Sequence, residues 1–543
     1  MTDLKPDIKE PRKLNLKHSM LFLLIALFIA TFFDQITWRK QHGLQFLIIV
    51  ILILVGGLIL ISIEKKRIPW QSFLLLLPIM FGATMSILRL DGFTNFANLL
   101  LVILSLMMLA TTVLNGQWLV FRLREHLMGF LRLVASVLID PIRLVMATNK
   151  PKDGQSTPEQ SAGLKRLAPY MRGVLIALPV LLVLGGLLAG ADPIFAKRLA
   201  SIFDWVKIEN LGELIFRTIY VLVLTYCLTG ALVHALTISE EKYSIEPDEP
   251  FFQPFLGRVE TLTVLITVNL LFAAFLIVQF QYFFAGEANI SYEGFTYAEY
   301  ARRGFFELLA VAVISLILFY GLSMAARRET KPEKHLFSAL GILLMLQVGV
   351  MLLSAFQRLS LYEAAYGFTQ YRTVIHVFMI WLGLSLAIMV VLEAFKQLRR
   401  VALALFLIFF GFTLTLNLLN VDAFIAERNI QHASAGNPLD VNYLISNLTD
   451  DSVPVLFEHL IARNVPEEVR DSIGTALVCR SAYRNNWDMS DSWASYHFSR
   501  VRAEGLYEVN AEALKAYPLI EKDDGWYVTV NGEEVACHYQ YID

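Results

Sequence analysis

The sequence GFTYAEYARRGFFELLAVAVISLILF (294–319) joins a polar, aromatic and doubly basic run to an apolar segment long enough to cross a bilayer. At a membrane–water boundary aromatic rings are favoured, and every charge has to reach water or a partner. The stretch therefore predicts a membrane-spanning segment, and the recurrence of such segments along the chain predicts a polytopic membrane protein. The stretch also predicts that five side chains lie at or just inside such a boundary: Tyr297, Tyr300, Arg302, Arg303 and Glu307.

The whole chain is too apolar for a soluble protein of its size. Of its 543 residues, 56% are hydrophobic and 17% are charged, and the mean hydropathy is +0.55. Soluble domains contain about 45–50% apolar and about 25% charged residues. The formal net charge of −2 argues against nucleic acid as a partner, because binding its phosphates needs a concentrated basic face.

Apolar segments of bilayer length recur along the chain. A hydrocarbon core of about 30 Å needs roughly 20 apolar helical residues, and this length predicts an all-α membrane region of about eleven transmembrane helices. Since no small-residue cleavage pattern follows the basic N-terminal segment, we interpret the first of them as an uncleaved helix. The predicted spans are 19–35, 44–63, 70–89, 95–114, 171–190, 211–236, 259–283, 304–325, 336–356, 373–395 and 401–419.

Lysine and arginine in the loops predict the orientation of the chain. They are concentrated in 1–18, 64–67, 115–170, 327–334 and 396–400, which the positive-inside rule places in the cytoplasm. An odd number of spans then puts the N-terminus inside and the C-terminal region outside. We therefore expect a multi-pass protein of a bacterial cytoplasmic membrane.

Two segments interrupt this pattern and define the predicted domains. The segment 118–146 is apolar but carries several charges, so it predicts an amphipathic helix on the inner membrane surface or a cytoplasmic helix packed on its neighbours. The Pro, Gly, Ser and Gln content of 148–170 is typical of a flexible linker. The predicted organisation is a four-span unit with the amphipathic helix (1–147), a cytoplasmic linker (148–170), a seven-span unit (171–419) and a small α+β extracytoplasmic domain (420–543).

The C-terminal region contains a strong hairpin signal and two cysteines. WYVTVNGEEVACHY (526–539) predicts two strands with Asn531-Gly532 at the turn. Its alternation predicts that one face is buried, made of Trp526, Val528, Val530, Val535 and Cys537. Cys479 and Cys537 form either a disulfide or two unrelated buried thiols.

The chain lacks the short motifs of several enzyme classes. No Walker loop, HExxH, CxxC or GxSxG sequence occurs, which weighs against an ATPase or a zinc peptidase. None of the three cysteines has metal-ligand spacing. The sequence therefore indicates neither a metal nor a cofactor.

Polar residues instead collect at the ends of the spans that are predicted to face outward. Glu213 and Arg217 stand one helical turn apart, as do Arg303 and Glu307. Such residues form either a site for a solute or lipid headgroup, or a boundary belt whose charges neutralise one another. The candidate site residues are Asp192, Glu213, Arg217, Tyr297, Tyr300, Arg302, Arg303, Glu307, Arg358, Glu363, Arg372 and His376.

Five stretches together resemble a known family. They are ADPIF (191–195), LGRVETLTVLITVNLLFAAFLIVQFQYFF (256–284), TYAEYARRGFFELLAVA (296–312), RLSLYEAAYGFTQYR (358–372) and NLLNVDAFIAERNI (417–430). In this order they resemble an uncharacterised family of bacterial multi-pass membrane proteins, catalogued only as a domain of unknown function. The resemblance covers about 170–450 and implies a membrane location but no catalytic roles.

Three kinds of function are consistent with these features. The first is binding or sensing, or the transport of a small solute, at the outer face of the membrane. The second is a membrane-embedded transferase that acts on lipid-linked envelope substrates, and the third is a non-catalytic scaffold for envelope proteins. The expected partners are membrane lipids, with envelope proteins or a small solute beside them.

Overall fold

The structure of the chain is a computed structural model. It describes residues 18–148, 211–240, 254–284, 305–462, 465–485, 492–523 and 525–537, together with individual residues between 184 and 198. The long helices are α1 (Ser19–Thr37), α2 (Leu44–Ile63), α3 (Trp70–Phe73), α4 (Leu76–Leu88), α5 (Gly92–Thr112), α6 (Leu123–Thr148), α7 (Leu211–Thr237), α8 (Arg258–Phe284), α9 (Phe305–Ala325), α10 (Lys331–Tyr366), α11 (Gln370–Ala394) and α12 (Val401–Leu419), with α3 a single turn before α4.

Within the described ranges, ten segments are long and apolar enough to cross a membrane, judged by length and composition. They are α1, α2, α3 with α4, α5, α7, α8, α9, α10, α11, and α12 with the 3₁₀ turn before it. Ten predicted spans are thus confirmed as helices. The remaining predicted span, 171–190, lies outside the described residues apart from isolated positions.

For the segment 118–146 the sequence is consistent with either a membrane-surface helix or a packed cytoplasmic helix. In the structure it contains one α-helix, α6, with Pro141 in its interior. It is not among the ten apolar segments. Near its end Asp140 is buried and lies 3.3 Å from the guanidinium of Arg143. Of the linker predicted at 148–170, Thr148 is the last residue of α6 and the rest lies outside the described residues.

The chain divides into two compact units. Unit A comprises Met1–Asp34 and Ser136–Gly230, and unit B comprises Gln35–Ala135 and Ala231–Asp543. Within unit A, α6 and α7 approach closely at Gly230, where a Cβ atom would lie 2.5 Å from the Cα of Val137. The four domains predicted from the sequence stay a prediction.

In unit B, polar and small residues join the membrane helices. The buried side chains of Asn98 (α5) and Asn417 (α12) exchange two hydrogen bonds of 2.8 and 3.2 Å. Side-chain amides are used in this way between helices in lipid, where an unpaired polar group is unfavourable. At Gly341 (α10) a Cβ atom would lie 2.1 Å from the ring of Phe319 (α9), so the close packing of these helices requires glycine.

The C-terminal segment is a set of helices followed by a small sheet. The elements are α13 (Val421–Ser434), α14 (Val441–Ser446), α15 (Val453–Ile461), α16 (Glu467–Asn485), α17 (Phe498–Val509), α18 (Ala511–Leu514), β1 (Leu519–Lys522), β2 (Gly525–Val530) and β3 (Glu533–Ala536). The sheet is antiparallel with the order β1-β2-β3. The apolar core of these helices also includes Phe412 and Leu416 of α12, so they pack directly on the membrane helices.

The predicted hairpin forms with Asn531 and Gly532 at its turn, where Val530 pairs with Glu533. Both turn residues have positive φ, which favours Asn and Gly. The predicted buried face is wrong at Val535, which is 38% exposed, whereas Val528 is fully buried. The reason is that β3 is a short edge strand, and the core covers β2 and Cys537 but not the middle of β3.

Cys479 in α16 and Cys537 just after β3 are joined by a disulfide, and their Cα atoms are 5.4 Å apart. This separation lies within the usual range of about 4.4–6.8 Å for a bridge. Both residues are buried in the core of the C-terminal segment.

Candidate functional site

Four ends of the membrane helices in unit B meet the C-terminal segment, and we call this contact region the junction. The helix ends are residues 42–44 at the start of α2, 88–92 at the turn from α4 to α5, 366–370 at the turn from α10 to α11, and 417–421 at the end of α12. At the first of them, the Leu44 N–H donates to the carbonyl of Tyr496 (3.0 Å). At the third, Asn429 forms hydrogen bonds with the backbone N–H and carbonyl of Phe368.

The turn between α4 and α5 is held by three side chains of the C-terminal segment. Asp451 accepts a hydrogen bond from the Leu90 N–H (2.7 Å). Ser499 forms hydrogen bonds with Asp451 and with the carbonyl of Leu88, and His497 lies 3.2 Å from the carbonyl of Arg89. These contacts satisfy backbone groups that a helix end leaves without intrahelical partners.

A second buried carboxylate, Asp422, connects α11 to the C-terminal segment. One of its oxygens accepts a hydrogen bond from Gln370 Nε2 (2.6 Å). The other accepts from the N–H and the hydroxyl of Thr449 (2.7 and 2.6 Å). Burial raises the pKa of Asp422, although these three hydrogen bonds oppose the effect.

Asp91, the N-cap of α5, is the third buried carboxyl group of the junction. It accepts a hydrogen bond from the Thr94 N–H (2.8 Å). Burial is the main cause that raises its pKa from 3.8 to about 7, and the negative charges of Asp422 and Asp451 raise it further. Asp91 therefore changes its protonation state close to neutral pH.

A cavity of about 600 Å³ opens at the junction, and we call it the junction cavity. Its lining residues come from the loop before α2, from Leu90 and from the C-terminal segment. The charged and titratable members of the lining are Lys40, His42, Asp450, Arg480, Tyr483, Arg484 and Arg500. Four permanently cationic side chains thus surround the cavity together with a single carboxylate.

Two of the cavity arginines are held by protein acceptors. Arg480 donates to the carbonyls of Leu444 (2.8 Å) and Leu448 (2.7 Å), and it lies 3.4 Å from Asp450. Arg484, one helical turn further along α16, lies 3.5 Å from Asp450 and also pairs with Glu504.

Arg500 and Lys40 have fewer protein acceptors. Arg500 donates to the carbonyl of His42 (3.3 Å), and Lys40 donates to the carbonyl of Gln35 (2.8 Å). Burial lowers the pKa of Arg500; the negative charges of Asp450 and Glu504 oppose this effect, and the positive charge of Arg484 adds to it. The Arg500 guanidinium is therefore in a position where an additional negative charge would be favourable.

A second cavity of about 810 Å³, which we call the membrane groove, lies beside the start of α5 at Gly92 and Phe93. It is formed by α5, α11 and α12 and is lined mainly by aromatic and aliphatic side chains, among them Phe96, Phe378 and Trp381. At one end it reaches Gly92, Gln370 and the exposed ring of Tyr371.

Two groups of the predicted site residues come together. In unit A, Arg217 lies 3.7 Å from Glu213, as their spacing predicts, and it forms a closer ion pair of 2.6 Å with Asp34 of α1. In unit B, His376 Nδ1 lies 2.8 Å from the buried carboxylate of Glu363, and its Nε2 lies 3.2 Å from Ser360 Oγ.

The other predicted site residues that the structure describes make different contacts. Arg372 donates to the carbonyl of Gly367 (2.7 Å) and lies over the ring of Tyr362, while Arg358 is buried in α10. Asp192 caps its own turn through the N–H of Ile194 (2.8 Å). Glu307 is exposed at the start of α9, and Tyr297, Tyr300, Arg302 and Arg303 lie outside the described residues.

The cationic residues of the junction cavity were not among the sequence candidates. One signal for them is the spacing of Arg480 and Arg484, since like charges one turn apart on a helix are unfavourable unless a counter-charge is present. Lys40 and Arg500 carry no such signal, because they approach through tertiary contacts between distant parts of the chain.

The loop that carries Lys40 and His42 depends on Gly43. A Cβ atom there would lie 2.5 Å from the carbonyl oxygen of Tyr496, so Gly43→Ala is expected to push the loop away from the C-terminal segment. We expect a loss of stability of about 1–3 kcal/mol, measured by thermal unfolding of the detergent-purified protein. The control is Gly92→Ala, because a Cβ atom at Gly92 meets no neighbour within 4 Å. Equal stability of the two variants would contradict the close approach.

Comparison with known proteins identifies one family. A family model described as a domain of unknown function, DUF4153, matches residues 75–459. This range includes the turn between α4 and α5, Asp422 and Asp451, and it ends before α16. No curated protein and no solved structure matches the chain. In the part of the chain that the structure describes, no group of three or more His, Cys, Asp or Glu side chains could hold a metal ion.

Proposed function

Since the chain belongs to the DUF4153 family, a domain of unknown function, we propose its activity from its own geometry: it binds an anionic, phosphate-type group in the junction cavity. The observation that carries this proposal is the charge of the lining. Four permanent cations accompany one carboxylate, Asp450, which already binds Arg480 and Arg484. Arginine and lysine clusters of this kind are how proteins recognise phosphate and related anions.

Arg500 and Lys40 are the residues that we propose contact the anion. Arg480 and Arg484 already bind protein acceptors. We therefore propose that they contribute positive charge to the cavity without contacting the anion. Arg500 is partly desolvated beside Arg484, and a bound anion would offset that repulsion. The volume of about 600 Å³ lies within the range of about 300–1,000 Å³ of small-ligand sites.

The position of the cavity supports binding or sensing more than transport or catalysis. Its lining comes from helix ends and from the C-terminal segment, whereas the substrate sites of secondary transporters lie near the middle of the bilayer. A transferase would need a free acid or base in the site. The lining carboxylate, Asp450, is engaged in two ion pairs and suits that role poorly, so His42 or Tyr483 would have to serve as the acid or base.

The location in the cell is part of the same proposal. We propose that the helices cross a bacterial cytoplasmic membrane, with the N-terminus inside and the junction and C-terminal segment outside. The bias of lysine and arginine toward one set of loops supports this orientation. A disulfide between Cys479 and Cys537 is consistent with an oxidising compartment on the C-terminal side.

The test uses the full-length protein in a nonionic detergent, titrated calorimetrically with inorganic phosphate and inorganic pyrophosphate. We expect saturable binding of pyrophosphate, and a loss of affinity of roughly tenfold or more in Arg500→Gln, because a hydrogen bond to a charged group contributes about 1.5–3 kcal/mol. Lys40→Gln is expected to act in the same direction.

The matched control is Arg502→Gln, which removes an exposed arginine from the same helix, two residues beyond Arg500 and outside the cavity lining. It should bind pyrophosphate as the wild type does. The proposal fails if neither anion binds saturably, or if Arg500→Gln and Arg502→Gln change the affinity equally.

A further inference from the structure

The membrane groove and the junction cavity border the same short piece of chain. Leu90 lines the cavity and Gly92 lines the groove, so a lining residue of one site has its Cα atom within about 7 Å of that of a lining residue of the other. They also lie on either side of Asp422: Thr449 on the cavity side and Gln370 on the groove side donate hydrogen bonds to the same carboxylate. A molecule with a charged end and an apolar end could therefore occupy both sites.

The groove has the shape and surroundings of a site for a hydrocarbon chain. Its lining follows α11 from Gln370 to Ser385, which is about 22 Å at 1.5 Å per residue and most of a hydrocarbon core of about 30 Å. Phe93 and Phe96 are partly exposed beside it, and the Tyr371 ring is 80% exposed at its polar end. Aromatic rings at such a position are typical of the membrane–water interface.

Gly92 adds no side chain between the two sites. It is exposed at the first position of α5, and a Cβ atom there would meet nothing within 4 Å. The neighbouring Asp91 does not occupy this space, because this buried side chain turns back to cap α5 through the Thr94 N–H.

We propose that the anion bound in the junction cavity is the headgroup phosphate of a membrane lipid, and that a hydrocarbon chain of the same lipid lies in the membrane groove. This inference rests on the proposed anion binding and adds the class of the ligand. The excess of cationic side chains in the cavity selects lipids with a net negative headgroup over zwitterionic ones. The aromatic and aliphatic lining of the groove would contact the hydrocarbon chain of the ligand.

Trp381 allows a direct test, because its indole lines the groove and is fixed by a hydrogen bond from Nε1 to Thr415 (3.1 Å). The full-length protein is reconstituted in phosphatidylcholine nanodiscs that contain a minor fraction of a brominated-chain lipid, either phosphatidic acid or phosphatidylcholine. Bromine quenches tryptophan on contact, and the Trp381 signal is obtained as the difference between wild type and Trp381→Phe. We expect brominated phosphatidic acid to quench this signal at roughly fivefold lower concentration than brominated phosphatidylcholine.

Two variants separate the charged end from the apolar end of the site. Arg500→Gln should abolish the preference for phosphatidic acid while leaving quenching by phosphatidylcholine unchanged. Gly92→Leu, which places a side chain in the open space between the sites, should reduce the preference but leave calorimetric binding of pyrophosphate in detergent intact.

The outcomes distinguish this inference from the function on which it rests. If pyrophosphate binds in an Arg500-dependent way but both brominated lipids quench Trp381 equally, the cavity takes a soluble anion and the lipid inference is wrong. If pyrophosphate also fails to bind, both proposals are wrong. A preference for phosphatidic acid that persists in Arg500→Gln would likewise overturn the assignment of the headgroup to the junction cavity.

Discussion

Reducing the disulfide between Cys479 and Cys537 is expected to lower the free energy of unfolding of the C-terminal segment by about 2–5 kcal/mol. The bridge closes a loop with a sequence separation of 58, and opening it gives the unfolded chain more conformational freedom. It also fixes the end of the sheet to α16, where Tyr483 donates a hydrogen bond to the carbonyl of Cys537. Both cysteines are buried in the core of the C-terminal segment, so opening the bridge also disturbs their packing.

The measurement compares thermal unfolding of the oxidised and the reduced wild-type protein, followed by near-UV circular dichroism. Cys227→Ser serves as the control, since this cysteine is free and exposed on α7. It should unfold like the wild type and show the same sensitivity to reductant. In the denatured protein without reductant, a maleimide should modify Cys227 alone. Modification of Cys479 and Cys537 under these conditions would show that the bridge is absent.

Replacing Asp91 by Asn is expected to remove most of a marked pH dependence of stability. The pKa of Asp91 is raised from 3.8 in the unfolded chain to about 7 in the folded protein. The folded state therefore binds the proton more tightly, and stability falls as the pH rises through the window from about 4 to 7. A pKa raised from 3.8 to about 7 lowers the free energy of unfolding of the wild type by on the order of 4 kcal/mol above this window. Asp91→Asn carries no ionisable group at this position and avoids the loss.

Asparagine keeps the cap, because its side-chain oxygen can still accept from the Thr94 N–H. Unfolding midpoints at pH 5 and pH 8 should differ strongly in the wild type and less in Asp91→Asn, which should be the more stable protein at pH 8. Some pH dependence of stability should remain in Asp91→Asn, because burial also raises the pKa of Asp422. Asp440→Asn is the matched control, because Asp440 also caps a helix but is exposed. If the unfolding midpoint of the wild type is not lower at pH 8 than at pH 5, this account of Asp91 is wrong.

The membrane helices and the hairpin follow from local patterns, and these were predictable. Bilayer length and apolar composition are properties of about 20 consecutive residues, and the Asn531-Gly532 turn depends on two. The spacing of Glu213 and Arg217 likewise predicts their proximity on one helix face. The partner that lies closer to Arg217 is Asp34, which is 183 positions away, and no period in the sequence indicates that contact.

The junction could not be derived in this way, because its residues are brought together only by the packing of helix ends. Arg500 and the His42 carbonyl are 458 positions apart, and Asp451 and Leu90 are 361 apart. Polar residues such as Asp422 are visible in the sequence as the ends of spans. Which ends face one another, and which cations join them from the C-terminal segment, depends on tertiary structure. Val535 illustrates the same limit within a strand, since alternation predicts a face but not whether the core extends far enough to cover it.

The length of α10 gives the junction a mechanical connection to the opposite side of the membrane. Its 36 residues form a rod of about 54 Å, and even at a tilt of about 40° it would extend about 41 Å along the membrane normal, more than the hydrocarbon thickness of about 30 Å. Both ends of the helix are therefore expected to reach the headgroup layers, Tyr366 beside the junction and Lys331 at the far end. A capping box between Thr330 and Glu333 stabilises the helix at its Lys331 end. Because no proline interrupts this helix beyond its first turn, we expect a displacement of Tyr366 to be accompanied by a displacement of Lys331.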